Sequence, residues 1–197
     1  GLRALPDLRF PVSALVAPVV RSLDVASDPS PGSPWDEARA GTAAAAFTLP
    51  AGPAGRWRLV FDLQVPGGVG LDLLAGIDAN GDGQPQVSEL SCVSAMQTPV
   101  ARCELEIEHP GDTPPRVWAM AHNRRPRFEQ ARLDVFLVPP GPGEGLVVTG
   151  PGQVAVGDDF SLRLGWRDHG LLPDESRLAY VDVQAAGNVI GSFPVRV

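Results

Sequence analysis

The chain has 197 residues, 44% of them hydrophobic and 20% charged, which is enough to bury one core or two small ones. Its net charge of -7 argues against nucleic acid, whose phosphates would be met by clustered cations, and the one basic run, Arg124-Arg125-Pro126-Arg127, reads as a solvated loop. No stretch of about 18 apolar residues occurs, so no membrane span is expected, and no charged leader with a cleavage site opens the chain.

The 22 glycines and 21 prolines suit short strands joined by tight turns better than helices. Trp35 to Ala46 is alanine-rich and acidic at its start, but Gly41 and Thr42 interrupt it and Phe47-Thr48-Leu49 runs on as strand, so a loop followed by a strand is expected. From Trp57 the pattern has period two. Trp57, Leu59, Phe61, Leu63 and Val65 share one face of a strand, while Arg56, Arg58, Asp62 and Gln64 share the other. Val69, Leu71, Leu73, Ala75 and Ile77 continue the alternation.

The next twelve residues, Asp78-Ala79-Asn80-Gly81-Asp82-Gly83-Gln84-Pro85-Gln86-Val87-Ser88-Glu89, match the calcium loop of the helix-loop-helix calcium binders. Oxygen donors fall at positions 1, 3 and 5 (Asp78, Asn80, Asp82), glycine at 6, a backbone carbonyl at 7 (Gln84) and a carboxylate at 12 (Glu89). Calcium takes six to eight oxygens, so alternating short oxygen-bearing side chains can wrap one ion, and glycine makes the sharp turn midway. Asn80-Gly81 and Asp82-Gly83 would also serve a bare hairpin turn, but such a turn requires neither Asp78 nor Glu89. Pro85 stands where an aliphatic residue is usual, and the approach is a strand, so a lone Ca2+ loop inside a β-protein is expected. Gln86 to Ala95 has the composition of a short helix leaving it.

Cys92 and Cys103 are the chain's 2 cysteines, and the histidines His109, His122 and His169 are too scattered to complete a zinc site with them. A disulfide is expected, and with it an oxidising, extracellular compartment. Cys103, Leu105 and Ile107 then alternate with Arg102, Glu104, Glu106 and Glu108. Further strands are expected at about 116–121, 131–138, 146–149, 153–156, 160–167, 177–185 and 188–197, a spacing that indicates antiparallel sandwiches. Pro139-Pro140-Gly141-Pro142-Gly143-Glu144-Gly145 supports neither helix nor ladder, and places a boundary between a module over 1–141 and a smaller one over 142–197. The fold expected is therefore all-β: two antiparallel β-sandwich modules of jelly-roll or immunoglobulin-like type.

Trp57 and Trp166 lie in phase with aliphatic neighbours and are expected in the core. Trp118 is out of phase with Val117, Ala119 and Ala121, and Trp35 sits in a proline-rich loop, so these two are candidates for a surface contact. Catalytic machinery is not evident. No Gly-x-Ser-x-Gly elbow occurs, and each histidine has a structural reading: His109 as a turn residue, His122 at a strand end and His169 in a loop.

Gly70-Leu71-Asp72-Leu73, then Glu104-Leu105-Glu106, then Pro115-Arg116-Val117-Trp118-Ala119-Met120-Ala121-His122-Asn123 together resemble the pre-peptidase C-terminal β-sandwich that follows the catalytic unit of many secreted bacterial proteases. Leu146 to Pro151, Phe160 to Trp166 and Gly191 to Val197 resemble the terminal fibronectin type III-like module of secreted subtilisin-like proteases. Where the first family has its leading aspartate this chain has Gly70, so Asp72 alone remains of that signature. The subtilisin triad motifs are absent. What the resemblance implies is a non-catalytic accessory region that stabilises a secreted peptidase or directs it to protein substrate, with the peptidase's catalytic domain as its partner. The alternative is a free-standing adhesin or carbohydrate-binding β-sandwich.

Overall fold

The computed structural model describes residues 4–28, 33–36, 40–66, 71–95, 100–166 and 175–197. Its strands are β1 (Ala4–Leu5), β2 (Val19–Val25), β3 (Thr42–Thr48), β4 (Gly55–Gln64), β5 (Asp72–Ile77), β6 (Leu90–Ser94) and β7 (Val100–His109). They continue as β8 (Arg116–His122), β9 (Glu129–Val138), β10 (Leu146–Thr149), β11 (Val154–Ala155), β12 (Arg163–Trp166), β13 (Leu178–Ala185) and β14 (Asn188–Arg196). Among the described residues the helical element is one 3-10 turn, Val87–Glu89, and no helix is long and apolar enough to cross a membrane. Two compact units result, one formed by Val19–Leu137 and the other by Gly1–Pro18 together with Val138–Val197.

In the Val19–Leu137 unit four antiparallel pairs are nested inside one another: β2 with β9, β3 with β8, β4 with β7 and β5 with β6. Successive pairs fall alternately into two four-stranded sheets, ordered β2-β9-β4-β7 and β3-β8-β5-β6. A long hairpin rolled up in this way is the jelly roll, which buries one face of each sheet against the other. β7 shows the resulting pattern most clearly. Ala101, Cys103, Leu105, Ile107 and His109 are buried, and the residues between them are exposed. Trp57, Leu59, Phe61 and Leu63 of β4 join the same core, so the inward placement of Trp57 agrees with its phase.

β7 lies at the edge of its sheet, and its outward charges blunt that edge against pairing with another chain. Arg56 bonds Glu108 and Glu106 across it, at 3.2 and 3.3 Å. The Glu108 hydrogen bond, then the charges of Glu106 and Glu108, hold the Arg56 guanidinium above its ordinary pKa.

Two local outcomes differ from expectation, and a third, the strand reached through the alanine run, agrees with it. The stretch from Gln86 to Ala95 is not a helix: after the short turn it becomes β6, whose ladder with β5 (Leu73 opposite Ser94, Ala75 opposite Cys92) overrides a weak helical propensity. The alanine run in β3 is held extended in the same way, with Ala43 to Ala46 facing Ala121 to Trp118 of β8. β2 was not anticipated; its burial is confined to Leu23 and Val25, too few apolar positions to mark a period.

The disulfide joins Cys92 of β6 to Cys103 of β7 with a Cα–Cα distance of 5.8 Å. β6 and β7 end different sheets, so the bond staples the sandwich where its two edges meet. In the chain-entropy picture a loop of this length contributes about 3 kcal/mol.

The second unit departs from the expected division, which began it at residue 142. Its first strip is residues 4–16, far away in sequence. β1 pairs with β11, and residues 9–16 run antiparallel along β13, with mutual bonds between Arg9 and Gln184 and between Val16 and Leu178. Val12 accordingly shares a core with Leu146, Ala179, Val181 and Val195. Pro6 and Pro11 remove ladder donors from this strip, which beyond β1 therefore carries isolated bridges. The remainder consists of the hairpin β13-β14 and the pair β10-β12. Trp166, expected in the core, is 55% exposed: among the described residues its strand β12 pairs with β10 and no other strand, and all four of its residues are exposed.

Candidate calcium loop

The loop at 78–89 leaves the end of β5 and returns through the 3-10 turn into β6. Its first residue is set by the sheet, because Asp78 N donates to Arg116 O at 3.0 Å and so extends the β5-β8 ladder by one rung. That rung turns the Asp78 side chain inward, where it is fully buried. Oδ2 accepts the Gly83 amide at 3.0 Å, a bond across the loop from position 1 to position 6. Oδ1 is buried with no hydrogen-bond partner.

The exposed tip is built from Asx turns, in which a short side-chain oxygen accepts the amide two residues on. Asn80 Oδ1 accepts Asp82 N at 2.9 Å, and Asp82 Oδ1 accepts Gln84 N at 2.7 Å. Asp82 Oδ2 also takes Nε2 of Gln86 at 2.8 Å. Gly81 and Gly83 hold φ of 75° and 73°, a left-handed conformation that glycine adopts without strain.

Glu89 closes the ring. Its Oε1 accepts the amides of Ala79 at 2.9 Å and Asn80 at 3.4 Å, so the twelfth residue returns to the second and third. Its Oε2 accepts Nε1 of Trp118 at 3.1 Å. All five expected donors, Asp78, Asn80, Asp82, Gln84 and Glu89, thus lie on one closed loop, the end carboxylates buried and the middle exposed. The carboxylates are turned to loop amides, and among the described residues no three His, Cys, Asp or Glu side chains gather closely enough to hold a metal.

Sequence reasoning missed two of the site's supports. Trp118 is fully buried rather than a surface contact: its phase does point it away from Val117 and Ala119, but that outer face is roofed by Trp35, whose ring meets it edge-on at 6.0 Å. Trp35 is itself half-buried in this contact. Gly76 is the other support. A Cβ there would stand 2.3 Å from Glu89 O and 2.4 Å from Cζ2 of Trp118, so only glycine lets the loop's return and the indole approach β5 this closely. An isolated glycine inside an apolar strand is the signal that marks such a site. Arg116 approaches the loop from the neighbouring strand β8, its Nε 3.4 Å from Asp78 Oδ2.

The two described histidines hold structural positions. His109 Nδ1 accepts the Gly111 amide at 2.9 Å, so its Nε2 donates to Pro50 O at 3.2 Å while the ring stacks on Trp57. His122 is buried between Asp28, 3.2 Å from Nε2, and Asp72, 3.5 Å from Nδ1; Arg124 lies over Asp72 at 2.6 Å. His169 and Gly70 lie outside the described residues. No family model matches the chain, and no curated protein or solved structure is significantly similar to it.

Proposed function

We propose that the chain is a calcium-binding, non-catalytic accessory region of a secreted subtilisin-like serine peptidase, which stabilises that enzyme or directs it to protein substrate. The calcium part rests on one observation: Asp78 is fully buried, and one of its oxygens has no hydrogen-bond partner inside a loop of calcium-binding spacing. A buried carboxylate oxygen without a partner is costly, and a divalent cation satisfies it. Asp78, Asn80 and Asp82 side chains, the Gln84 carbonyl and Glu89 would hold the ion, which supplies two positive charges that pull the loop's oxygens together. The turn of Glu89 toward Ala79 and Asn80 keeps it at the mouth of the ring.

The accessory part rests on the family resemblance, on the disulfide, which suits an oxidising compartment, and on the structural engagement of His109 and His122. Burial of Trp118 takes one aromatic platform from the alternative sugar-binding reading.

Calorimetric titration tests the first part. The chain should bind one calcium with Kd of about 10⁻⁴ to 10⁻³ M, the extracellular range, and Asp78→Ala should abolish it. No heat in the unaltered chain, or equal binding by the variant, removes the calcium reading. Deleting residues 1–197 from a parent peptidase should spare cleavage of small peptides while changing stability or attack on bulky protein; no change in any of these sinks the accessory role.

A further inference from the structure

Resting on the calcium reading of the loop, we infer that Arg116 is a resident counter-cation of that loop, which holds it folded without metal and opposes calcium when calcium arrives. Arg116 opens β8, opposite Thr48 of β3, and its backbone carbonyl fixes Asp78. The guanidinium reaches over the loop. Nη1 donates to Gly81 O at 2.6 Å, and Nη2 lies 3.0 Å from where a Cβ of Gly83 would stand. Nε is 3.4 Å from Asp78 Oδ2, in a geometry that leaves it without a hydrogen bond. The loop therefore carries a cation against its first ligand, clamped to the carbonyl at position 4 and packed on the glycine at position 6.

The charge balance gives this contact its role. Asp78, Asp82 and Glu89 bring three carboxylates onto one short loop, and Arg116 offsets one of them. Without metal it relieves their mutual repulsion. With calcium bound, the same positive charge lies beside a dication and repels it, and the 41% exposure of the side chain gives it room to swing away. Arg116 thus lowers both the need for the ion and the affinity for it.

The test uses the full chain with calcium chloride alone, comparing the unaltered chain with Arg116→Gln and Arg116→Lys. Arg116→Gln should melt lower in chelator yet bind calcium about fivefold more tightly at low salt, with the gain shrinking at high salt. Arg116→Lys, which keeps the charge, should stay within about twofold of the unaltered chain. A purely structural arginine predicts the opposite sign, weaker calcium binding by Arg116→Gln. That result, or equal tightening by both variants, overturns the inference while leaving the calcium loop standing. If the unaltered chain itself takes up no calcium, the underlying reading fails. Should Arg116→Gln not fold, the Arg116 Nε–H resonance of the unaltered chain decides: it should move as calcium is added, and a fixed resonance in a calcium-bound chain overturns the inference.

Discussion

Nε1 of Trp118 donates a 3.1 Å hydrogen bond to Oε2 of Glu89, which ties the last residue of the 78–89 loop to an internal strand of the β3-β8-β5-β6 sheet. The indole has no water to exchange with, being fully buried, so a change at Glu89 is felt directly by the ring.

Trp118 should therefore report on the loop. Calcium addition should change tryptophan emission in the unaltered chain and in Trp166→Phe, but not in Trp118→Phe. The last variant also leaves a buried carboxylate oxygen without its donor, at a cost of about 1–3 kcal/mol in urea unfolding. A calcium response that survives in Trp118→Phe would disconnect ring from loop.

Gly76→Ala should destabilise the chain by about 1–3 kcal/mol, because its methyl group enters space held by Glu89 O and the Trp118 ring. Calcium affinity should fall with it. Gly191→Ala is the control: a Cβ at Gly191 meets nothing within 4 Å, so its effect should lie within about 0.5 kcal/mol of zero. Equal stability of the two variants would show that the close approach at Gly76 is not needed.

Asn123→Ala should cost about 2–3 kcal/mol, since one buried amide group serves several backbone partners. Nδ2 donates to Arg127 O at 2.7 Å and Ala26 O at 3.2 Å, and Oδ1 accepts Arg125 N at 3.0 Å. Asn123→Asp should be no better, because a carboxylate accepts but cannot donate to those carbonyls. Chemical denaturation of both variants checks this, and a mild Asp variant would contradict the donor role.

Thiol titration of the denatured, unreduced chain should find no reactive cysteine, as both are bonded to each other. Replacing Cys92 and Cys103 together by alanine should lower stability by about 3 kcal/mol, to be measured by equilibrium unfolding. Two free thiols in the native protein would remove the oxidising-compartment argument.

What was legible in the sequence follows from how each segment is exposed. β7 separates core from water with charged residues, so its alternation could be read directly; Cys103 was placed on a strand for the same reason. The loop at 78–89 was visible as one segment because the spacing of its Asp, Asn and Gly residues is local. Arg116 and Trp118 were not, since their contacts with Asp78 and Glu89 depend on the pairing of β5 with β8, which no local pattern encodes. The phase of Trp118 was read correctly and its surroundings were not: periodicity tells which face a side chain takes, but not that Trp35 comes back to cover that face. Trp166 failed in the reverse sense, its apolar phase implying a cover that the β10-β12 pair does not provide. Residues 9–16 gave no signal because their pairing is broken into single bridges about Pro11.

That early strip also has a consequence for biosynthesis. Arg9, Val12 and Val16 are made well before their partners Gln184, Val181 and Leu178, with the whole of Val19–Leu137 translated in between. The nested pairs of Val19–Leu137 can close while those partners are still to be translated, so the inner unit folds first and the flanks join late, through contacts of very long sequence separation. During that wait the strip is an extended, partly apolar segment, free to pair with a neighbouring nascent chain. Pro6 and Pro11 interrupt its run of amide donors, and the same residues that hide it from pattern reading make it a poor template for aggregation.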